Sequence, residues 1–174
     1  MTFEQLNDRL GGNAKAADWR QHKNGGGWVH KKTTVEETAH VGPEAIVFGN
    51  AWVYGNAQVY GNAQVYGNAR VYGNAQVSGN ARVYGDAWVY GNAQVYGDAQ
   101  VSGDAWEQSP LYIQGSRYAM TNAKKGHLQI GCKCEPFRWW KTKEAEKFAR
   151  DNGYDNAAIR EYKAYVKLFE QVGK

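Results

Sequence analysis

Apolar positions in this chain recur at a spacing of six. Valine stands at Val29, Val35, Val41 and Val47, then at every sixth residue to Val101. Alanine keeps the same step from Ala39 to Ala105. Ten units from Val47 are nearly uniform, and three looser ones precede them. Six is neither the 3.6-residue period of a helix nor the two-residue period of a plain strand. It fits a short strand followed by a tight turn. Valine favours the pleated strand, and Gly-Asn or Gly-Asp supplies the positive φ that such a turn demands.

An aliphatic residue followed four places later by a small one, repeated over about 70 residues, resembles the hexapeptide-repeat family. The resemblance implies a left-handed parallel β-helix with three hexads in each 18-residue coil. Thirteen hexads then give about four coils, stacked roughly 4.8 Å apart. Valine points inward and alanine fills the corner. Only a small β-branched residue and a smaller partner pack so narrow an interior, so packing accounts for most of the invariance.

Residues 18 apart then share a face. One face is expected to carry Trp52, Arg70, Trp88 and Trp106 in a column, with Tyr54, Tyr72 and Tyr90 beside it. The second carries Gln58, Gln76 and Gln94 with Tyr60, Ser78 and Tyr96. The third carries Gln64, Arg82 and Gln100 with Tyr66, Tyr84 and Ser102. All tryptophans of the repeat fall on the first face. An Arg between two indoles adds cation–π attraction, and Trp and Arg are enriched at binding hot spots. That column is therefore read as a contact surface, for another copy of the chain or for its own C-terminal segment. A stabilising ladder is the alternative reading. The family resemblance implies threefold homotrimers.

The flanks differ. Residues 1–28 read as an N-terminal cap and a Gly-rich joint. Thr2 and Gln5 form a capping-box pattern before a short helix with Phe3, Leu6 and Leu10 as its apolar stripe, and Gly11-Gly12 ends it. The helix is expected to cover the lower end of the prism, and Gly25-Gly26-Gly27 to be a flexible joint. Residues 29–106 are the repeat. Residues 107–174 read as a small α+β module: three short strands with turns at Gly115 and near Lys125-Gly126, then two helices. Thr142 and Asp155 are their candidate N-caps, and Gly153 and Gly173 their stops. Ile159, Tyr162, Val166 and Phe169 make one apolar helix face. The G-rich entry, the V-[YS]-G-[ND]-A-x hexads and the "IGCKC…WW" helical tail together resemble proteins of bacteriophages and prophages. That resemblance implies an origin rather than a mechanism.

Charge sharpens the division. The chain carries a formal +4, yet residues 29–106 hold 4 Lys+Arg against 6 Asp+Glu, and residues 107–174 hold 13 against 8. The basic character belongs to the C-terminal third and suggests an anionic partner there. Arg117, Lys124, Lys125, Arg138 and the Trp139-Trp140 pair mix cations with aromatics, the chemistry that binds nucleotides or single strands; a solvated basic surface is the alternative. No apolar run approaches a membrane span, and MTFEQLNDRL lacks the regions of a signal peptide. The expected location is the bacterial cytoplasm, with no membrane partner.

Candidate chemistry is sparse. Cys132 and Cys134 suit a structural disulfide poorly. With His127 they supply at most three of the four ligands zinc wants, so no metal is expected. Asp86, Asp98 and Asp104 lack the nine-residue period of calcium-binding repeats, although Asp86 and Asp104 should stack and repel. Hexapeptide acyltransferases use, as the resemblance implies, a histidine base at a subunit boundary and a loop excursion from the coil. Here the uniform repeats contain no insertion, and His30 and His40 lie in the looser first coils. The three-histidine zinc site of the family's carbonic anhydrases is also missing. No catalytic residue and no cofactor is expected. The reading is a non-enzymatic oligomeric binding protein that sequesters a host protein or an anionic nucleotide-like molecule. An acyltransferase-like enzyme and a virion component are the alternatives.

Overall fold

The computed structural model describes residues 1–103 and 105–172. Asp104 and Gly173, the expected stacking carboxylate and helix stop, lie outside the described residues. The chain divides into two compact units, Met1–Ser109 and Pro110–Lys174.

The first unit is a parallel β-solenoid of about four turns. Each hexad gives a two- or three-residue strand, and strands 18 residues apart pair in parallel. Val29, Val47, Val65, Val83 and Val101 align on one face. Val35, Val53, Val71 and Val89 align on the second. Val41, Val59, Val77 and Val95 align on the third. Each aligned valine except Val35, in the lowest coil, is fully buried, as is each alanine from Ala39 to Ala99, to within 1% exposure. Each buried valine contributes on the order of 1.5–3 kcal/mol. Backbone bonds from one coil to the next complete the ladder, such as Asn50 N–H to Gly67 C=O (2.7 Å), Trp52 N–H to Ala69 C=O (2.9 Å) and Tyr54 N–H to Val71 C=O (3.1 Å).

The turn residues have two separate tasks. Gly49 sits at φ +74°, and a Cβ there would lie 2.8 Å from the amide nitrogen of Gly67. The glycine column thus allows both the turn and the close stacking of turns. The asparagines do something the sequence reading missed. Their amides bond from coil to coil: Asn50 to Asn68 to Asp86 (3.3 and 3.0 Å), Asn56 to Asn74 to Asn92 (3.4 and 3.3 Å), and Asn62 to Asn80 to Asp98 (3.1 and 2.9 Å). Asn68, Asn74 and Asn80 each donate upward and accept from below. An aspartate suits the upper end because it only accepts.

Helix α1 (Phe3–Arg9) begins at Thr2 with the expected capping box, and Leu6 is fully buried. It lies against the turns of two successive coils: Arg9 donates to Glu44 C=O (2.7 Å) and Asn62 C=O (2.9 Å), and Phe3 meets Trp28 edge-on. Much of the cover below the lowest coil comes instead from extended backbone, because open strand edges need peptide partners that a helix cannot offer. Trp19–Gln21 pairs antiparallel with Trp28–His30. Gly27 N–H bonds Val41 C=O, and Val41 N–H bonds Asn24 C=O, both at 2.9 Å. The glycine run is no flexible joint: a Cβ on Gly25 would fall 2.3 Å from Val41 O. His22 is also buried here, with Nε2 3.0 Å from Ala39 O.

The upper end corrects an expected position. Trp106 does not continue the Trp52, Arg70, Trp88 column. Ala105 pairs with Trp88, and Trp106 pairs with Val89. The last coil is one residue shorter than the others, so the indole turns into the valine row, where it is 7% exposed. Ala105, expected inside, is exposed. No further coil follows, and a large apolar ring covers valines that would otherwise meet water. Ser109 Oγ accepts the Gln94 N–H at 2.9 Å, replacing the carbonyl of a missing coil.

The second unit holds four antiparallel strands, not three: Tyr112–Gln114, Ala119–Lys124, His127–Ile130 and Lys133–Pro136, paired in sequence order. The added strand arises because the chain reverses at Gly131-Cys132. Helices α2 (Lys143–Asp151) and α3 (Asn156–Val172) follow. Thr142 Oγ1 accepts from Ala145 N–H (3.2 Å) and Asp155 Oδ1 from Ala158 N–H (2.8 Å), as expected of caps. Met120, Leu128 and Ile130 of the sheet pack with Tyr162, Val166 and Phe169 of α3.

Two outcomes test this packing. Val71→Asp places a carboxylate in a closed apolar column and should cost on the order of 3–5 kcal/mol. Tyr72→Ser removes an outward ring and should cost about 1–2 kcal/mol. Equal losses in urea titrations would overturn the inward–outward assignment. Asn68→Asp sets two acceptors against each other where Asn68 now donates to Asp86. It should destabilise the solenoid by roughly 1–3 kcal/mol at neutral pH. Protonation relieves that repulsion, so the gap from wild type should narrow as the pH falls below about 4.

Candidate functional site

Two regions concentrate functional side chains. The first is the flat face built by the two-residue strands at Trp52, Arg70 and Trp88. Their in-register pairing stacks the three side chains. The Arg70 guanidinium carbon stands 5.4 Å from the Trp52 ring and 4.6 Å from the Trp88 ring. Beside them Tyr54, Tyr72 and Tyr90 stack face to face at 4.7 and 5.2 Å, within 7° of parallel. Desolvation within that stack pushes the Tyr72 phenol above its ordinary range. Trp52 and Trp88 stay 46% and 41% exposed. Arg70 between the two indoles makes the stabilising ladder, and both indoles remain partly exposed on the outer face of the coil. A second ring stack, Phe48, Tyr66 and Tyr84, runs up another face.

The second region is the C-terminal module, where the expected basic cluster comes apart. Arg117 stands before the strand Ala119–Lys124, and Lys124 and Lys125 stand at its far end. The Arg117 guanidinium donates to Gly153 C=O (2.9 Å) and Asn152 C=O (3.4 Å) and lies 4.9 Å from the Tyr154 ring. It closes the C-terminal end of α2, where carbonyls lack helical partners and the dipole favours a cation. Trp140 is also structural: its indole N–H is shared between Leu128 C=O (3.0 Å) and Glu135 C=O (3.2 Å). Trp139 packs edge-on against Trp140 and Phe148, with the Lys133 ammonium over its ring at 4.6 Å. Lys124, Lys125 and the exposed Arg138 stand in sequence next to the turn where Phe137 N–H bonds Gly126 C=O.

His127 is likewise separated from Cys132. It faces Pro136 at one end of the hairpin, while Cys132 lies at the Gly131 turn of the other. Burial pushes the Cys134 thiol up. Among the described residues, no three His, Cys, Asp or Glu side chains converge as metal ligands. His40 Nδ1 lies 3.1 Å from Asn24 Oδ1, and His30 Nδ1 accepts from Lys32 N–H; neither is set against a nucleophile.

What the basic-cluster reading missed is a cavity of about 360 Å³ between the Gly131 end of the sheet and the two helices. Ile130, Trp140, Phe148, Tyr154, Ile159 and Val166 form much of its wall. Its lining spans residues 118–166 with no single period, so only the fold gathers it. Tyr162 holds one edge: its hydroxyl accepts from Arg117 N–H (3.1 Å) and Tyr118 N–H (2.6 Å) and donates to Tyr118 C=O (2.9 Å). Burial against Tyr162 and Tyr118 pushes the Tyr154 phenol well up, so it stays protonated. At the rim, Glu146 accepts from Lys163 (2.6 Å) and Arg150 (2.9 Å), and those bonds hold its carboxyl below the usual range.

A model of the YdcK beta solenoid repeat matches residues 63–76, 75–91 and 93–108. The chain is a β-solenoid repeat protein. No curated protein and no solved structure matches it. No helix among the described residues is long and apolar enough to cross a membrane.

The assignment of Arg117 to structure has a direct test. Arg117→Ala leaves two carbonyls at the end of α2 without their charged donor and should cost about 1–3 kcal/mol. The loss should appear as a lower melting temperature of the C-terminal module. Wild-type stability in this variant would return Arg117 to the list of ligand contacts.

Proposed function

We propose that this chain is a non-enzymatic, self-associating binding protein. In this reading the solenoid is a rigid platform, and the C-terminal module meets the ligand. The observation that carries it is the Trp52–Arg70–Trp88 face. Two of the largest apolar side chains lie about half exposed on an uninterrupted flat sheet, while Arg70 engages one face of each indole. Indole edges on a flat, regular surface favour a flat partner with the same ridges, and a second copy has them. The threefold homotrimer is the form the hexapeptide-repeat resemblance implies. The resemblance to bacteriophage and prophage proteins is the ground for reading the target as a host protein or an anionic small molecule in a bacterial cytoplasm, tied up rather than transformed. An acyltransferase-like activity has less support, since His30 is bonded within its own loop, His40 to Asn24, and no chain excursion leaves the coil among the described residues.

Sedimentation equilibrium and intact-complex mass spectrometry of protein recovered from its host test the reading. Wild type should run as an oligomer and turn over no acyl-coenzyme A. Arg70→Glu, which puts an acid between the indoles and removes a cation–π attraction of about 0.5–2 kcal/mol, should shift it toward monomer. A wild-type monomer throughout the micromolar range, or an unchanged assembly in Arg70→Glu, would refute the assembly face. Recovery of the chain in purified particles would favour a virion component instead.

A further inference from the structure

The cavity of the C-terminal module has a composition that points to one kind of ligand. Its volume of about 360 Å³ falls within the range of small-molecule sites, enough for a body of one or two rings. The walls are aliphatic and aromatic, and their polar atoms are largely engaged elsewhere. Trp140 N–H is held by two carbonyls, and the Tyr162 hydroxyl by the Arg117–Tyr118 backbone. An apolar body therefore meets no unmet polar demand inside.

Charge sits at the rim. Lys133 and Lys163 both line the opening, and Glu146 is the acid among the lining residues. Glu146 already accepts from both Lys163 and Arg150, so its charge is compensated twice. Lys133 extends over the Phe148 ring, 5.3 Å from its centroid, and bonds Glu135 at 2.9 Å. Each ammonium has a carboxylate partner, but with Arg150 the three cations exceed Glu135 and Glu146 by one charge, so the edge of the apolar chamber favours an anionic group whose body lies inside.

We propose that this cavity binds a small amphipathic anion, an aromatic or short-chain carboxylate, with its apolar body between the sheet and the helices and its charge at the Lys133–Lys163 rim. The site lies within the C-terminal module. It names a ligand class for the binding reading above. Self-association lost in Arg70→Glu with ligand binding intact, or the reverse, separates the two ideas.

The test is titration of the full-length protein with the anionic fluorophore 1-anilinonaphthalene-8-sulfonate, followed by displacement with 2-naphthoate or octanoate. Wild type should bind the probe at one site per chain, and both carboxylates should compete. Ala149→Trp fills the chamber from α2 and should abolish binding while circular dichroism stays native. Lys133→Met/Lys163→Met keeps the stems, removes the charges, and should weaken 2-naphthoate about tenfold, the scale of one lost charge-assisted contact. No saturable binding by wild type overturns the site, as does wild-type affinity in a folded Ala149→Trp protein. Competition by neutral 2-naphthalenemethanol as strong as that by 2-naphthoate overturns the anion assignment.

Discussion

The stacking of each coil on an almost identical coil, about 4.8 Å away, is the constraint on which the solenoid depends. Every side chain meets a neighbour at the same position one turn up and one turn down. A residue type is tolerated in a column only if it suits itself or its alternates. Valine suits itself by filling volume, asparagine by donating upward and accepting from below, tyrosine by stacking face to face. Like charges do not suit themselves. Arg70 accordingly stands between Trp52 and Trp88, and Arg82 between Gln64 and Gln100. These two departures from the repeat follow the same rule as the repeat.

The constraint fails at the two ends, and the chain changes character there. Below the first coil, peptide groups of Trp19–Gln21 and of residues 24–27 take the partners that a further coil would have supplied. Above the last, Trp106 fills the valine row and Ser109 answers a stranded amide. Terminal repeats of a solenoid must be atypical for this reason. Irregular sequence at the ends is as necessary as regular sequence in the middle.

The repeat was legible because it is one-dimensional. A spacing of six, doubled in valine and alanine, determines which residues stack and which point inward. Trp106 was assigned to the wrong column because the rule was carried past the last complete coil, and the shortening of that coil leaves the alanine step intact. The asparagine ladders went unread because Gly-Asn already had a sufficient explanation as a turn. The C-terminal module was the harder case. Its helix caps and the Ile159, Tyr162, Val166, Phe169 face followed from local pattern. The basic cluster did not hold, because nearness in a count of charges says nothing about which end of a strand each residue occupies. The cavity combines positions from Tyr118 to Val166, and no short motif describes such a set.

The ladders of the solenoid and the C-terminal module arrange their aromatic rings in opposite ways. In the coil-to-coil ladders of the solenoid the rings stack within 9° of parallel at 4.7–5.2 Å. Parallel rings at that separation leave no volume between them, so these ladders offer ridges and edges. In the C-terminal module Trp139 meets Trp140 at 87° and Phe148 at 69°, and Tyr154 meets Tyr162 at 76°. Rings set edge to face diverge, and the space they leave must be filled by neighbours or remain open. Small residues stand at that place, Gly131 on the sheet and Ala145 and Ala149 on α2, and the space remains open. Flat ring ladders and a hollow module are thus consequences of ring geometry, and ring geometry is set by whether successive residues lie 18 apart on a ladder or scattered over a hairpin and two helices.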